Sequence, residues 1–366
     1  MTKIKDVISY LETIAPRSYQ ESYDNSGLLT GNSEDEVTGV LISLDCTEEV
    51  VEEAKRKNCN LIVSHHPILF KGLKKLTGEN YVERTVINAI KNSVALYAIH
   101  TNLDNIVTGV NFKFAQQLGL KNLAILSPKY DTLSKLVTFA PVENANNVLD
   151  AIYKAGAGTI GNYSECSFTN DGQGSFTPNA KANPAIGKKG QAETVNEKRI
   201  EVLVPNHKVN NVVTALKSAH PYEEVAYYIT ALNNANQEVG AGLTGDLPEA
   251  LDQQEFLKLL KESMKLEVIK FTPSYKGKIK KIALCGGAGS FLLAQAKACG
   301  AQAYISADFK YHEYFDAENQ LMICDIGHYE SEVATKELLH DILSKKFSNF
   351  ALNLSEIVTN PISYFK

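Results

Sequence analysis

The sequence lacks the patterns that mark several large protein classes. Its six cysteines form no C-x-x-C pair, which argues against a disulfide framework or a cysteine zinc site and favours the reducing cytoplasm. No apolar stretch approaches the ~20 residues of a membrane span, and residues 1–16 have no apolar signal-peptide core. The net charge is -5 and basic residues occur only in short runs, such as the Lys188-Lys189 pair, so we expect no nucleic acid partner.

The remaining composition is that of an ordinary globular protein. Apolar residues make up 44% of the chain and charged residues 22%, as in soluble domains. With 366 residues, the chain is too long for one ordinary core, so two domains are expected.

Predicted strands alternate with predicted helices between residues 37 and 119. Apolar strand patterns cover residues 37–44, 61–64 and 94–99. The alternation predicts an α/β fold with a mostly parallel sheet flanked by helices. Such sheets place their ligands beyond the carboxyl ends of the strands. The residues at or just after these ends are Asp45, His65 and His66, and His100 with Asp104.

An internal repeat marks the middle of the chain. The strand patterns ending at Pro141 and Pro205 align at an offset of 64 residues, and each is followed by a helix. Two strand-helix units, each closed by another strand, predict a ferredoxin-like α+β domain. We therefore expect an inserted domain over residues 131–236, with residues 1–130 and 237–366 forming the outer domain.

Two glycine-rich stretches resemble phosphate-binding loops. Gly240–Gly245 matches G-x-G-x-x-G, but no well-placed strand and helix flank it, so a hinge or loop is favoured over a dinucleotide site. Gly286–Ser290 follows a predicted strand and precedes a helix. An anion cradle at the helix start and tight packing explain this second stretch equally well.

The later strands also end in polar side chains. His328 and Glu332 are four residues apart and share one face of a helix predicted to run to about Lys346, so both can reach one metal site. Five of the eight histidines lie at strand ends. The complete set of candidate groups at strand ends is His65, His66, His100, Asp104, Asp308, His312, Asp325, His328 and Glu332.

Imidazoles mixed with carboxylates suit zinc, iron, manganese or nickel. The ligands exceed what one tetrahedral site needs, so the set predicts a two-metal site that can activate a water, with Asp104 or Glu332 as the bridge. The remaining groups, His100, Asp308 and His312, would orient ligands or move protons.

Several motifs occur together in the outer domain. They are Tyr23-Asp24-Asn25-Ser26-Gly27, Ser64-His65-His66-Pro67, His100–Asn105, Ser306-Ala307-Asp308, and Asp325–His328 with Glu332. Together these motifs resemble the NIF-three-like family, whose members carry the label GTP cyclohydrolase I type 2 homologue. Within the insert, residues 156–168, 182–184 and 220–224 resemble the PII/CutA-like domain of longer bacterial members.

The resemblance implies a ligand set, a cofactor and an assembly. It implies two divalent metal ions per chain, with zinc expected and iron, manganese or nickel as alternatives. It also implies a ring-shaped homohexamer with the sites facing an internal cavity. The implied ligands are His65, His66, Asp104, His328 and Glu332.

Three functions remain open on these grounds. The first is a metal-dependent hydrolase, located in the cytoplasm, that acts on a nucleotide-like or phosphorylated small molecule. The second is a metal-binding or metal-delivery protein without catalysis. The third is a regulatory scaffold whose insert senses a small ligand.

Overall fold

The chain folds into two compact units. The structure, a computed structural model, describes residues 1–273 and 275–365. One unit contains residues 1–128 and 238–366, and the other contains residues 129–237. No helix of the described residues is both long and apolar enough to cross a bilayer.

The elements are numbered in chain order. The strands are β1 (Gly27–Thr30), β2 (Gly39–Ser43), β3 (Leu61–Ser64), β4 (Ala95–Ala98), β5 (Lys121–Lys129), β6 (Leu133–Pro141), β7 (Ser167–Phe176), β8 (Glu193–Pro205), β9 (Tyr227–Leu232), β10 (Asn236–Leu251), β11 (Lys270–Phe271), β12 (Ile279–Ala288), β13 (Ala303–Ala307), β14 (Met322–Asp325) and β15 (Ala351–Leu354). The helices are α1 (Ile4–Ile14), α2 (Glu48–Arg56), α3 (Tyr81–Lys91), α4 (Thr101–Asp104), α5 (Val110–Gln117), α6 (Ala145–Lys154), α7 (Val209–Ala219), α8 (Gln253–Ser263), α9 (Leu293–Ala298), α10 (His328–Glu332) and α11 (Thr335–Ser344).

The first sheet of the larger unit has the order β1-β4-β3-β2-β15. Its pairings are parallel except for the edge pair β1 and β4. Every residue of β2, β3 and β4 is buried because helices cover both faces. On one face Val63 packs with α1 and α11, and on the other Ile62 packs with α2 and α3. Burial on both faces explains why these strands are continuous apolar runs.

The second sheet is mixed rather than mostly parallel. Its order is β11-β14-β13-β12-β10-β5. The pairs β12–β13 and β13–β14 are parallel, whereas β10–β12 and β11–β14 are antiparallel. Helices α5 and α8 pack on one face through Phe114, Phe256 and Leu260, and Leu293 and Ala296 of α9 pack on the other. The larger unit is therefore a mixed α/β fold with helices on its sheets.

The smaller unit is a four-stranded antiparallel sheet in the order β7-β8-β6-β9. Helices α6 and α7 cover one face, and their apolar residues form a core with alternate residues of β6 and β8. Ala145 and Val209, the first residues of these helices, are separated by the same 64 residues as the sequence repeat. The β-α-β-β-α-β order is that of a ferredoxin-like fold.

The glycines at 240 and 242 belong to a strand, so the expected hinge or loop was wrong. They lie inside β10, and a Cβ atom on Gly240 would lie 2.2 Å from the carbonyl oxygen of Ser127. Close approach of two backbones therefore requires glycine at position 240.

The helix predicted from His328 to about Lys346 is also interrupted. Helix α10 ends at Glu332 and α11 begins at Thr335. At the break the Lys336 amide bonds to the Val333 carbonyl, three residues back, which is the tighter spacing of a 3-10 turn.

Candidate metal centre

The larger unit gathers six of the predicted side chains around one centre. His65 and His66 follow β3, His100 follows β4, and Asp104 ends α4 one turn later. Gly327, in the left-handed region with a φ of 92°, turns the chain after β14 so that α10 begins at His328. These residues form three overlapping groups with ligand spacing: His65, His66 and His100; His66, His328 and Glu332; and His65, Asp104 and Glu332.

Each histidine of the cluster is held at its Nδ1 atom by an oxygen. A carbonyl or carboxylate oxygen accepts the ring hydrogen, so the Nε2 atoms are left as the lone-pair atoms of the neutral rings. This arrangement is typical of metal-ligating histidines. The four Nδ1 contacts are His65 to Ile99 O at 2.9 Å, His66 to Asp45 Oδ1 at 2.7 Å, His100 to Asp24 Oδ1 at 2.7 Å and His328 to Asp308 Oδ2 at 2.6 Å.

Glu332 lies between two sets of ligand atoms. Its Oε2 atom is 2.9 Å from His66 Nε2 and 3.2 Å from His328 Nε2. Its Oε1 atom faces His65 Nε2 at 3.9 Å, and that nitrogen is 3.5 Å from Asp104 Oδ1. Two groups of three ligands therefore share Glu332, with one carboxylate oxygen toward each.

Two buried atoms at this centre are arranged so that they could hold a cation. Neither His65 Nε2 nor Asp104 Oδ1 has a hydrogen-bond partner among the residues that the structure describes. A buried polar atom without a partner costs about 1–3 kcal/mol. Since the Nδ1 hydrogen of His65 is already donated to Ile99, its Nε2 atom offers a lone pair rather than a hydrogen. A lone pair beside a carboxylate oxygen fits a bound divalent metal ion.

The side chains of the cluster differ in the direction of their pKa shifts. Burial lowers the pKa of His65 to about 3, so its ring is neutral at pH 7. Burial opposes the charge on His66 and His328 as well, but hydrogen bonds to carboxylates outweigh it and raise their pKa values to about 10 and about 9. Burial and the neighbouring Glu332 raise the pKa of Asp104. Without metal, protons on His66 and His328 offset the negative charge of the neighbouring carboxylates.

The glycines after Cys285 make room for Glu332 and do not cradle an anion. The Gly286 amide donates to Asn111 Oδ1, and the Gly287 amide donates to Ser331 Oγ. A Cβ atom on Gly287 would lie 2.5 Å from Glu332 Oε1. Of the two readings of this stretch, tight packing is therefore correct.

The other predicted groups take different places. Asp308 contacts the cluster through His328 Nδ1. His312 is exposed, and its ring contacts are with Tyr311 and Phe315, so the structure does not bring it into the cluster. The Oδ2 atom of Asp325 accepts hydrogen bonds from Lys270 and Tyr314 instead.

Two carboxylates that orient the histidines, Asp24 and Asp45, have no role predicted from the sequence. Asp24 accepts from the hydroxyl groups of Ser26 and Thr101 as well as from His100. These bonds outweigh burial and lower its pKa. Asp45, at the end of β2, was recognised as a strand end but given no role, although the strand-end rule applied to it as well as to the histidines. Asp24 belongs to the Tyr23–Gly27 motif quoted for the family resemblance, but the motif gave it no role.

The C-terminal segment reaches the same centre without a sequence signal. Thr359 Oγ1 donates to Asp45 Oδ2 at 2.5 Å, on the far side of the carboxylate from His66. Asn360 and its neighbours Pro361 and Ile362 line the same cleft as His66, His328 and Glu332. This cleft encloses about 450 Å³. Four aromatic residues line it: Tyr23, Phe70, Phe291 and Tyr329.

Comparison with known proteins identifies the family. A family model described as Duf34/NIF3 (NGG1p interacting factor 3) matches residues 2–361. The chain belongs to the DUF34/NIF3 family. The resemblance inferred from the strand-end motifs is thereby confirmed.

Other DUF34/NIF3 proteins match the whole chain. A Staphylococcus epidermidis protein named GTP cyclohydrolase 1 type 2 homolog is 34% identical over 367 residues, covering 99% of this chain and 100% of that protein. A Halalkalibacterium halodurans protein of the same name is 37% identical over 363 residues, covering 98% of both chains. The crystal structure of a Bacillus cereus protein related to NIF3 superimposes with a TM-score of 0.88 at 36% identity, covering 100% of this chain and 99% of the other.

Proposed function

We propose that this protein binds two divalent metal ions and hydrolyses a nucleotide-like or phosphorylated small molecule. The main support for this proposal is the position of Glu332, whose two carboxylate oxygens face two separate groups of candidate ligands. In this proposal one ion is held by His65, Asp104 and Glu332, and the other by His66, His328 and Glu332. Zinc is the expected ion, with iron, manganese or nickel as alternatives.

A bound metal pair would supply Lewis-acid activation of a water and neutralise negative charge that develops on the substrate. The chain's own residues would do the rest. Asp45 and Asp308 hold His66 and His328 in place through their Nδ1 atoms. His100 belongs to neither group that shares Glu332 and lines the cleft. We assign it the movement of protons, with Asp24 orienting its ring.

The cleft walls support a substrate with a flat ring. Tyr23, Phe70 and Phe291 line the cleft, and their exposed fractions are 70%, 52% and 64%. Phe70 meets His100 edge to face, with ring centroids 5.6 Å apart. Aromatic side chains of this kind stack on planar ligands. The name that the relatives carry, GTP cyclohydrolase 1 type 2 homolog, is compatible with such a ligand.

Elemental analysis of purified protein tests the metal pair. We expect about two metal ions per chain in the wild type. Glu332→Gln should lose most of both ions, since both groups share its carboxylate, whereas Asp104→Asn should weaken one. Glu337→Gln, on the exposed face of α11, is the matched control and should keep both. A Glu332→Gln variant with full metal content would contradict the arrangement.

Turnover of a substrate panel tests the hydrolase separately. The metal-loaded protein is assayed on nucleoside triphosphates and small phosphoesters, and His100→Gln is assayed beside the wild type. We expect hydrolysis of at least one compound, and a loss of about 10²-fold or more in His100→Gln, the usual contribution of a positioned acid or base. Failure to turn over any compound, with both ions present, would remove the hydrolase but leave the metal site.

One observation favours metal delivery as the second candidate. The His328 side chain is 38% exposed and its partner Asp308 is 51% exposed, whereas the His65 side chain is fully buried. The outer ion would therefore exchange faster than the inner one. Transfer of only one ion per chain to an apo acceptor protein, without turnover of any substrate, would support delivery over hydrolysis.

Two family-based expectations remain proposals. We assign residues 131–236 to an inserted PII/CutA-like domain, supported by the ferredoxin-like strand order. We also assign a homohexamer, supported by the family relationship alone. Sedimentation equilibrium would distinguish six chains from fewer.

A further inference from the structure

The smaller unit contains a cavity of about 640 Å³ that the metal chemistry does not use. It lies on the face of the sheet opposite α6 and α7. Phe139, Glu197 and Arg199 point to this face because their neighbours Ala140 and Ile200 face the helices. Residues 177–179 of the segment after β7 complete the wall. A cavity of this size is large enough for a small molecule.

Glu197 places a buried carboxylate in the wall of this cavity. The residue is only 7% exposed. Tyr222 donates a hydrogen bond to its Oε1 atom at 2.9 Å, and among the described residues no lysine, arginine or histidine pairs with it. Buried carboxylates are normally paired with a positive charge. The sheet also provides space for this group, since a Cβ atom on Gly174 would lie 2.1 Å from Glu197 Oε2.

Aromatic rings line the cavity together with this carboxylate. Phe176 and Tyr222 meet with centroids 5.8 Å apart, and Phe139 and Tyr228 meet at 6.1 Å. Ring faces attract organic cations, and the attraction is strongest where water is excluded. A carboxylate beside two aromatic pairs is therefore suited to a cation with an apolar surface.

The remaining charges of the wall agree with this chemistry. Glu223 and Glu224 add negative charge. Arg199 is already paired, since its guanidinium lies 2.6 Å from Glu201 Oε1. A bare metal ion fits less well, because within the described residues every group of three or more ligands with metal spacing lies in the larger unit.

We infer that this cavity of the smaller unit binds an organic cation, an amine or a quaternary ammonium compound, with its charge on Glu197 and its apolar part against the aromatic pairs. This inference is independent of the proposed hydrolysis. It gives the smaller unit a binding site of its own.

Calorimetric titration of the full-length protein tests the inference. The probes are choline, butylammonium and phenethylammonium, and the neutral comparison for choline is 3,3-dimethyl-1-butanol, which has the same shape without the charge. We expect at least one cation to bind, and choline to bind about tenfold more tightly than the alcohol. Glu197→Gln keeps the size of the side chain and should weaken binding about tenfold.

Glu193→Gln is the matched control, because Glu193 lies on the same strand as Glu197 but outside the cavity. This variant should bind the cations with the affinity of the wild type. Circular dichroism of both variants establishes that they fold. The inference is wrong if none of the three cations binds, if the alcohol binds as well as choline, or if Glu197→Gln binds like the control. It is also wrong if Phe176→Glu reduces the size of the assembly, since the cavity would then be covered by a second copy of the chain.

Discussion

At the residue scale, Gly287 shows how the backbone makes space for the shared carboxylate. Its φ of +62° favours glycine, and a Cβ atom would meet Glu332 Oε1 at 2.5 Å. Gly119 has a similar φ of +68° but faces open space. Alanine would therefore meet the same backbone strain at both positions. The two positions differ in what the added methyl group would contact.

This pair yields the first prediction. Gly119→Ala should cost about 1–2 kcal/mol in the free energy of unfolding, the usual penalty of a side chain in the left-handed region, and keep its metal. Gly287→Ala should lower the free energy of unfolding through the same backbone strain. It should also displace Glu332 and so lower the metal affinity about tenfold or more. Denaturant unfolding and metal titration measure the two effects. Equal metal affinity in both variants would contradict the contact with Glu332.

The second prediction concerns Asp45, which orients His66 and is itself held by Thr359. Asp45→Asn should lower metal affinity about 10- to 100-fold, as for other carboxylates behind a ligating histidine. Thr359→Val should have a smaller effect in the same direction. Asp341→Asn, an exposed carboxylate on α11, serves as the control. Competition with a chelator of known affinity measures the change, and an unaffected Asp45→Asn would refute the role.

At the element scale, the segment before α3 depends on one side chain. Glu83 Oε2 accepts hydrogen bonds from the amide and hydroxyl of Thr77 and from the amides of Gly78 and Glu79. These bonds, those of Thr77 first, lower the Glu83 pKa from its ordinary value of 4.5 to about 2. The helix thus anchors the end of the segment that carries Phe70 to the cleft.

The third prediction is the pH dependence of this segment. A carboxyl whose folded pKa is lowered stabilises the fold above its unfolded pKa, and the contribution is lost as pH falls. Protection of the amides of Thr77, Gly78 and Glu79 from hydrogen exchange should therefore decrease from about pH 4.5 towards pH 2. In Glu83→Gln these amides should exchange about tenfold faster at pH 6. Glu79 forms an exposed ion pair with Lys75, so the control variant Glu79→Gln should show the same amide exchange as the wild type.

At the scale of the whole molecule, the proposed metal binding would connect the two distant parts of the larger unit. His65, His66 and Asp104 come from the first 128 residues, and His328 and Glu332 come from the part after residue 238. In the metal-free state the raised pKa values of His66 and His328, about 10 and about 9, keep both rings protonated at pH 7. A ligating imidazole must be neutral.

The fourth prediction follows from this competition. Zinc binding at pH 7 should release one proton from His66 and one from His328, and its affinity should increase with pH up to about pH 9–10. Calorimetry in buffers of different ionisation enthalpy measures the released protons. His328→Gln should release about one proton fewer. A binding enthalpy that is independent of the buffer would contradict the protonated metal-free state.

The sequence alone determined the local features that depend on short-range patterns. Continuous apolar runs identified β2, β3 and β4, because strands buried on both faces contain few polar residues. The strand-end rule located His65, His66 and His328, and the four-residue spacing placed Glu332 beside His328. The repeat around Pro141 and Pro205 indicated the two strand-helix units of the smaller unit.

Only the tertiary structure decided the features that depend on distant residues. Gly240 lies in a strand because Ser127 approaches it, and no local pattern contains that neighbour. Thr359 donates a hydrogen bond to Asp45, which lies 314 residues earlier in the chain. His312 is exposed and lies outside the cluster, although it follows a strand as the histidines of the cluster do. The position of Glu332 between two candidate ligand groups also depends on distant residues. Sequence spacing predicts which helix face carries Glu332, but not which residues that face contacts.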